Sequence, residues 1–362
     1  MMKIALDATP LTVPTGGIRR YTEELSRALA ENFPEDEVWL LSDQPFQTPA
    51  ASPANLKIGR TPRNLFERRW WLWGLPRELS RLGIDVFHGT DFTVPYLPVR
   101  PGVMTIHDLS PWTKEFRHAT SNRVRRRAPM LLRMGLATMV TTPSEAVRRQ
   151  VMERFNLDDD RVRAIPLAAS RIFRPKPIAS DRHPYLLYVG TLEPRKNLAF
   201  LLEVWREVYR EHPVELVLAG RRGPDFPELG HETGLRVLGA VPDEELPKLY
   251  SGALACLYPS SYEGFGLPVL EAMQCGAVVV ASRDPAVAEV AGDAATLLPV
   301  SNDARERRAW VETLRSLLTR PDQFGAFREK AVARAAQFSW DTTAKLTREV
   351  YTESAQRFRK KT

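Results

Sequence analysis

The chain has 362 residues, 43% hydrophobic and 26% charged, the balance of a soluble globular protein with room for two cores. Its two cysteines, Cys256 and Cys275, lie in apolar runs without metal-ligand spacing and read as buried free thiols of a reducing cytoplasm. No run approaches the ~20 apolar residues that span a bilayer, and the N-terminal stretch meets Pro10 before any long apolar run develops, so neither a membrane span nor a signal peptide is expected. The formal charge of +7 lies wholly in one half: residues 1–175 hold 26 Lys/Arg against 19 Asp/Glu, and residues 176–362 hold 25 of each. That asymmetry suggests a polyanionic partner for the first half, with nucleic acid and anionic membrane as the candidates.

In chain order, strands are expected at 3–8 (KIALDA), 37–42 (EVWLLS), 85–90 (DVFHGT), 102–108 (GVMTIHD) and 139–144 (MVTTPS), with helices at 17–32 and 144–155. Residues 174–184 (RPKPIASDRHP) are polar, carry three prolines and read as a linker. The pattern restarts at 185–190, 214–220, 235–240, 253–259 and 277–282, with a helix at 197–211. Continuous apolar strands alternating with helices indicate parallel sheets covered on both faces. The expected architecture is therefore α/β: two doubly wound Rossmann-like domains, 1–175 and 176–339, with a cleft between them. A last helix, within 340–362, lies beyond the final strand and is expected to pack back on the N-terminal domain.

The unusual residues follow strands, where ligands bind in open parallel sheets. Gly16 and Gly17 open the first helix without the third glycine of a dinucleotide fingerprint, so a tight turn and a ligand loop are both open. His88 and His107 each end a strand. Asp108 is beside His107, but neighbours on an extended chain face opposite ways, so no His–Asp pair follows. Gly190 ends another strand, and Arg195 and Lys196 precede Asn197, a good helix N-cap. Two cations at a helix start oppose its dipole unless an anion sits there, which favours a diphosphate clamp over two solvated charges. The stretch 260–273, SSYEGFGLPVLEAM, sets Glu263 and Glu271 on either side of a turn, with a helix starting after Gly266 and Pro268 in its first turn. Its unpaired amides offer an anion site.

In 65–82, LFERRWWLWGLPRELSRL, helical spacing gives Leu72, Leu75, Leu79 and Leu82 one face and Trp70, Trp73, Arg77 and Arg81 another. The second face has the chemistry of an interfacial membrane contact. Arg123 and Arg125 to Arg127 form a further basic cluster. Zinc-type His/Glu spacing, a Gly-x-Ser-x-Gly elbow and a phosphate-loop motif are absent from the sequence.

Taken in order, the motifs at 7–29, FHGTDF (87–92), TIHDLSP (105–111), YVGTLEPRKN (188–197), VLGAVPDEELPKLY (237–250), 259–282 and FSWDTTAKLTREVY (338–351) resemble the retaining family-4 glycosyltransferases of GT-B architecture, especially bacterial enzymes of polysaccharide assembly. The resemblance covers nearly the full length. It implies a nucleotide diphosphate sugar bound mainly by the second domain. Glu263 would contact the donor sugar's hydroxyls and Glu271 the ribose. Amides near Gly264, Phe265, Gly266 and Leu267 would meet phosphates or sugar, and Gly190 lies in the same loop set. Arg195 and Lys196 would hold the diphosphate as it leaves. Val241 would touch the base, and His107 the donor sugar from the first domain. Gly16, Gly17 and His88 complete the substrate-binding set. No metal or other cofactor is expected, since no Asp-x-Asp metal motif is recognised and Arg195 and Lys196 would neutralise the phosphates.

The expected activity is hexosyl transfer to a glycan or lipid-linked acceptor, with GDP-mannose the preferred donor and UDP- or dTDP-sugars (glucose, N-acetylglucosamine, rhamnose) the alternatives. The expected setting is cytoplasmic, on the inner membrane face. A sugar-nucleotide epimerase and a non-catalytic nucleotide-sugar-binding protein are the readings of another class. A nucleic-acid partner is not expected, because the basic half carries no recognised binding motif.

Overall fold

The computed structural model describes residues 1–13, 16–47, 52–116, 121–177, 183–223, 226–301 and 303–360. Apolar runs in the first half give seven strands: β1 (Lys3–Asp7), β2 (Glu37–Leu41), β3 (Leu56–Ile58), β4 (Val86–Gly89), β5 (Gly102–Thr105), β6 (Met139–Thr142) and β7 (Val162–Ala164). They form one parallel sheet in the order β3-β2-β1-β4-β5-β6-β7. β4, β5 and β6 are buried at every position, as strands covered on both faces must be. The covering helices include α1 (Gly17–Asn32), α2 (Leu75–Leu82), α3 (Asn122–Arg133) and α4 (Glu145–Phe155).

The second half repeats the plan with β8 (Tyr185–Val189), β9 (Glu215–Ala219), β10 (Leu235–Gly239), β11 (Ala255–Tyr258), β12 (Val279–Ser282) and β13 (Thr296–Leu298). Their order is β10-β9-β8-β11-β12-β13, again parallel. The helices here are α5 (Leu198–Tyr209), α6 (Leu246–Gly252), α7 (Leu267–Gln274), α8 (Pro285–Ala291), α9 (Ala304–Thr319) and α10 (Gly325–Ala335). Each sheet reverses its winding once, between β1 and β4 and between β8 and β11. Loops leaving the carboxyl ends of such a strand pair diverge and leave a crevice.

The chain divides into two units, Met1–Leu167 with Ser339–Thr362, and Ala168–Phe338. The first boundary falls eight residues before the expected 175/176, because the intervening segment is bonded to the second unit. Gln274 donates to the carbonyls of Ser170 (3.1 Å) and Phe173 (2.6 Å), and the Lys176 amide donates to Ser251 Oγ (3.0 Å). Residues 178–182 of the expected linker lie outside the described residues. The final helix α11 (Trp340–Arg359) belongs to the first unit. There Asn32 donates to Asp341 (3.0 Å) and Arg348 to Asp36 (2.6 Å). Both cysteines are buried and free.

The tryptophan-rich segment departs from its expected helical face. Residues Trp70–Gly74 form a π-helical turn before α2, and Pro76 sits in the first turn of that helix. The change of winding turns Trp70 inward to 4% exposure, so only Trp73 of the two expected outer tryptophans is exposed. Arg81 is held by the largely buried Glu78 at 2.5 Å.

The first unit's core also encloses a polar chain. Tyr351 of α11 meets His88 Nδ1 at 2.7 Å, and His88 Nε2 meets Thr105 Oγ1 at 2.7 Å. Thr105 in turn bonds Tyr21 (2.9 Å) and Thr141 (2.8 Å). Tyr351→Phe keeps the ring and leaves a buried imidazole nitrogen unpaired. It is expected to cost about 1–3 kcal/mol, measured as a lower urea midpoint of the first unit's transition at unchanged slope.

Candidate active site

In the second unit the loops that leave β8 and β11 are tied together at the reversal point. The sequence suggested Asn197 as a side-chain cap for the following helix. Instead Pro194–Lys196 make a 3-10 turn, and Asn197 takes φ 54° and provides no side-chain cap. Lys196 is buried. Its Nζ donates to Glu263 Oε1 at 2.5 Å and to Tyr258 Oη at 3.0 Å. Arg195 donates to Glu263 Oε2 (3.2 Å), the Tyr262 carbonyl (3.0 Å) and Glu193 (2.9 Å), and its own carbonyl accepts from the Ser261 amide at 2.9 Å. Arg195, Lys196 and Glu263 therefore converge. Burial alone would raise the Glu263 pKa, but Lys196 and then Arg195 overcome it and hold the carboxyl at about 2. It is an anion at any working pH.

Beyond it, Gly266 precedes α7 with φ 99°, a conformation that side chains resist, and Pro268 lies in the helix's first turn as expected. The first amides of α7 donate to no capping side chain. Gly264 and Phe265 are buried, Leu267 half-buried. Gly190 and Gly220 directly follow β8 and β9, and a Cβ on Gly220 would run into the Gly190 carbonyl, so these two turns abut. Glu271 is only 1% exposed, and Tyr250 Oη donates to its Oε2 at 3.1 Å. Val241 is half-buried in the loop after β10.

The sequence reading missed Asp284. Its Oδ2 accepts from the Glu263 amide at 3.3 Å, while Oδ1 caps α8 through Ala286 (2.9 Å) and Val287 (3.2 Å). One carboxylate thus ties the Glu263 loop to a helix end. Burial pushes it up to about 6, with Glu263 also raising it and the amide bonds opposing. The Asp-Pro pair at 284–285 signals a helix cap; the second bond is tertiary and has no local signal.

In the first unit His107 follows β5, half-buried. Its Nε2 lies 2.8 Å from the Thr90 carbonyl, an acceptor, so Nε2 carries the proton and Nδ1 the lone pair. Burial lowers its pKa and keeps it neutral. Tyr21 packs edge-on against it with centroids 4.9 Å apart. Asp108 turns instead to Ser110, accepting from its amide at 2.9 Å and its hydroxyl at 2.6 Å. His88 corrects the sequence reading: it is fully buried and both ring nitrogens are engaged by Tyr351 and Thr105, leaving none for substrate. Two carboxyls went unnoticed, Asp7 and Asp91, which burial pushes up to about 6 and about 7. Gly16 and Gly17 are exposed, with open space where a Cβ would stand.

The expectation of no metal took no account of Asp158–Asp160, which does have Asp-x-Asp spacing. Two of these carboxylates pair with arginines, Asp159 with Arg148 and Asp160 with Arg357.

Two doubly wound units, with cations and a carboxylate at one sheet's reversal point, agree with GT-B architecture. Residues 170–337 match the family model described as glycosyl transferases group 1, and residues 15–170 that described as glycosyltransferase family 4. O-antigen chain mannosyltransferase B of Escherichia coli is 34% identical over 97% of this chain and 99% of its own length. The MMP alpha-(1->4)-mannosyltransferase of Mycolicibacterium hassiacum is 30% identical over 65% of this chain and 56% of its own. The chain belongs to the family-4, group 1 glycosyltransferases. Among solved structures, Anabaena HepE in complex with UDP-glucose superposes with a TM-score of 0.72 at 19% identity, covering 98% of this chain and all of that one. Sucrose-phosphate synthase from Thermosynechococcus elongatus gives 0.71 at 20% identity, over 98% and 99%. These two likenesses show the fold.

Asp284→Asn preserves an acceptor for the α8 cap, since Asn and Asp cap equally well, but replaces the acceptor facing the Glu263 amide with a donor. Transfer is expected to fall about tenfold in kcat/KM, equivalent to about 1.4 kcal/mol, with little change in melting temperature. Wild-type kcat/KM is expected to decline below about pH 6, as Asp284 takes up a proton, and the variant's profile to lack that limb.

Proposed function

We propose that this glycosyltransferase is a retaining, metal-independent hexosyltransferase that moves mannose from GDP-mannose to a glycan or lipid-linked acceptor in cell-surface polysaccharide synthesis. The observation that carries the reading is the buried Glu263 bonded by both Lys196 and Arg195. The name of the Escherichia coli relative, aligned along nearly the whole chain, supports the sugar. As the donor's diphosphate departs, negative charge grows on its oxygen, and fixed cations there favour the transition state over the ground state. The incoming phosphates compete with Glu263 for Arg195 and Lys196. Glu263 then has lone pairs to offer the sugar's hydroxyls.

The remaining assignments follow the same chemistry. The amides of Gly264–Leu267, leading into α7, meet phosphate or sugar oxygens, Glu271 takes the ribose with Tyr250 orienting it, and Val241 meets the base. Gly190 leaves room in the donor loops. His107, neutral with its lone pair on Nδ1, accepts from a donor-sugar hydroxyl, and Gly16 and Gly17 leave room at the diphosphate and acceptor. Retention follows from same-face attack assisted by the leaving phosphate.

Purified protein is to be assayed with GDP-mannose, UDP-glucose, UDP-N-acetylglucosamine and dTDP-rhamnose, with and without EDTA. Mannose transfer that EDTA does not diminish is expected; abolition by EDTA refutes metal independence. A changed sugar nucleotide without acceptor would mark an epimerase, and donor binding without turnover a sensor. Glu263→Ala and Lys196→Ala are each expected to lower kcat by about a hundred- to thousandfold.

Membrane association is part of the same proposal. Among the described residues no helix is long and apolar enough to cross a membrane. Leu65, Phe66 and Trp73 are nevertheless exposed, with Phe66 stacked on Trp73 at 5.4 Å. Arg68, Arg69 and Arg77 are exposed in the same segment, whereas Arg81 is taken by Glu78. Exposed apolar side chains with cations in the same segment suit an anionic bilayer surface. Vesicle flotation is expected to rise with anionic lipid content and to weaken when Arg68, Arg69 and Arg77 are neutralised; indifference to lipid charge contradicts the association.

A further inference from the structure

The first unit holds a cavity that none of these assignments uses. It has a volume of about 640 Å³ and is lined by Leu109 and Trp112 after β5, Pro129 of α3, and Gln150, Glu153, Arg154 and Phe155 of α4. That volume lies within the ~300–1,000 Å³ of small-molecule sites. Its walls combine an aromatic platform with planar polar groups. Trp112 meets Phe155 edge-on at 5.2 Å, and the Arg154 guanidinium lies over the indole at 5.7 Å. Glu153 and Arg154 are both exposed.

A path of rings connects this cavity to His107. Phe92 lies 6.5 Å from the His107 ring and 5.9 Å from Trp112, centroid to centroid. Phe92 is buried and held at φ 52°, a strained conformation for a bulky side chain, of the kind that persists where a site over-determines it. The chain from His107 to Trp112 is itself braced, because Asp108 accepts from both the amide and the hydroxyl of Ser110. The cavity is thus set at a fixed spacing from His107, two ring contacts away.

The lining selects among ligand classes. An anion would be repelled by Glu153 as much as drawn by Arg154, and an alkyl chain would strip water from Gln150, Glu153 and Arg154 without replacing those hydrogen bonds. A neutral saccharide satisfies both requirements: its C–H face covers the indole, and its hydroxyls pair with amide, carboxylate and guanidinium. We propose that this cavity is a subsite for an acceptor sugar unit upstream of the one that receives the new residue, so that Trp112 sets a preference for chain length. The proposal rests on the transferase reading above.

The test compares octyl α-mannoside with the corresponding octyl α-mannotrioside as acceptors for the wild type, Trp112→Ala, Trp112→Phe and Glu153→Ala. The expected result is a KM for the trisaccharide about tenfold higher in Trp112→Ala and raised in Glu153→Ala, with kcat and the monosaccharide KM unchanged. Trp112→Phe, which keeps an aromatic face, is expected to recover most of the loss. Equal effects on both acceptors, or none in the exposed-site variant Glu153→Ala, overturn the subsite. Transfer to neither acceptor by the wild type counts against the mannosyl-transfer reading instead. Saturation-transfer NMR with the trisaccharide then decides the subsite by itself: a signal lost in Trp112→Ala supports it, and no signal in the wild type overturns it.

Discussion

A carboxylate shielded from water and gripped by two cations organises the second unit. Isolated, Glu263 would be driven to the neutral acid by burial; bonded to Lys196 and Arg195 it stays ionised. The arrangement requires loops from β8 and β11 to meet, and those strands are neighbours only because the sheet reverses its winding there. Topology therefore delivers the charges, and Asp284 fixes the backbone on which the carboxylate rides. Breaking one partner of such a cluster leaves an uncompensated buried charge, which is why its members depend on one another.

The first unit uses a different economy. Its polar interior is made of neutral donors and acceptors: Tyr21, His88, Thr105, Thr141 and Tyr351 satisfy one another without any net charge. Burial depresses the His88 pKa to about 3, with His107 also lowering it, so the ring remains neutral there. A network that is fully satisfied rigidifies its surroundings, and here the surroundings include the edge of His107.

Much of this was legible in one dimension. The continuous apolar runs announce β1, β4 to β6, β8, β9, β11 and β12 because both faces of those strands are buried, and Gly266 with Pro268 announces the start of α7. What was not legible is short or remote. β3, β7 and β13 have three residues each, too few for any pattern to form. His88 looks like a strand-end ligand until Tyr351, 263 residues later, closes its second nitrogen. The inward turn of Lys196 comes in a 3-10 turn that ends on the positive φ of Asn197, a residue whose composition signal suggested an ordinary cap. Trp70 follows a helical spacing that the π-helical turn breaks.

The assignment of α11 to the unit that begins the chain has a consequence for biogenesis. On the ribosome, residues 168–338 emerge complete and contiguous, whereas the first sheet's companion helix is made after all of them. His88 and Asp36 must therefore wait for Tyr351 and Arg348 through the synthesis of an entire intervening unit. The unit that is translated first is the one whose interior closes last, and in that interval its open flank is what a nascent-chain chaperone would find.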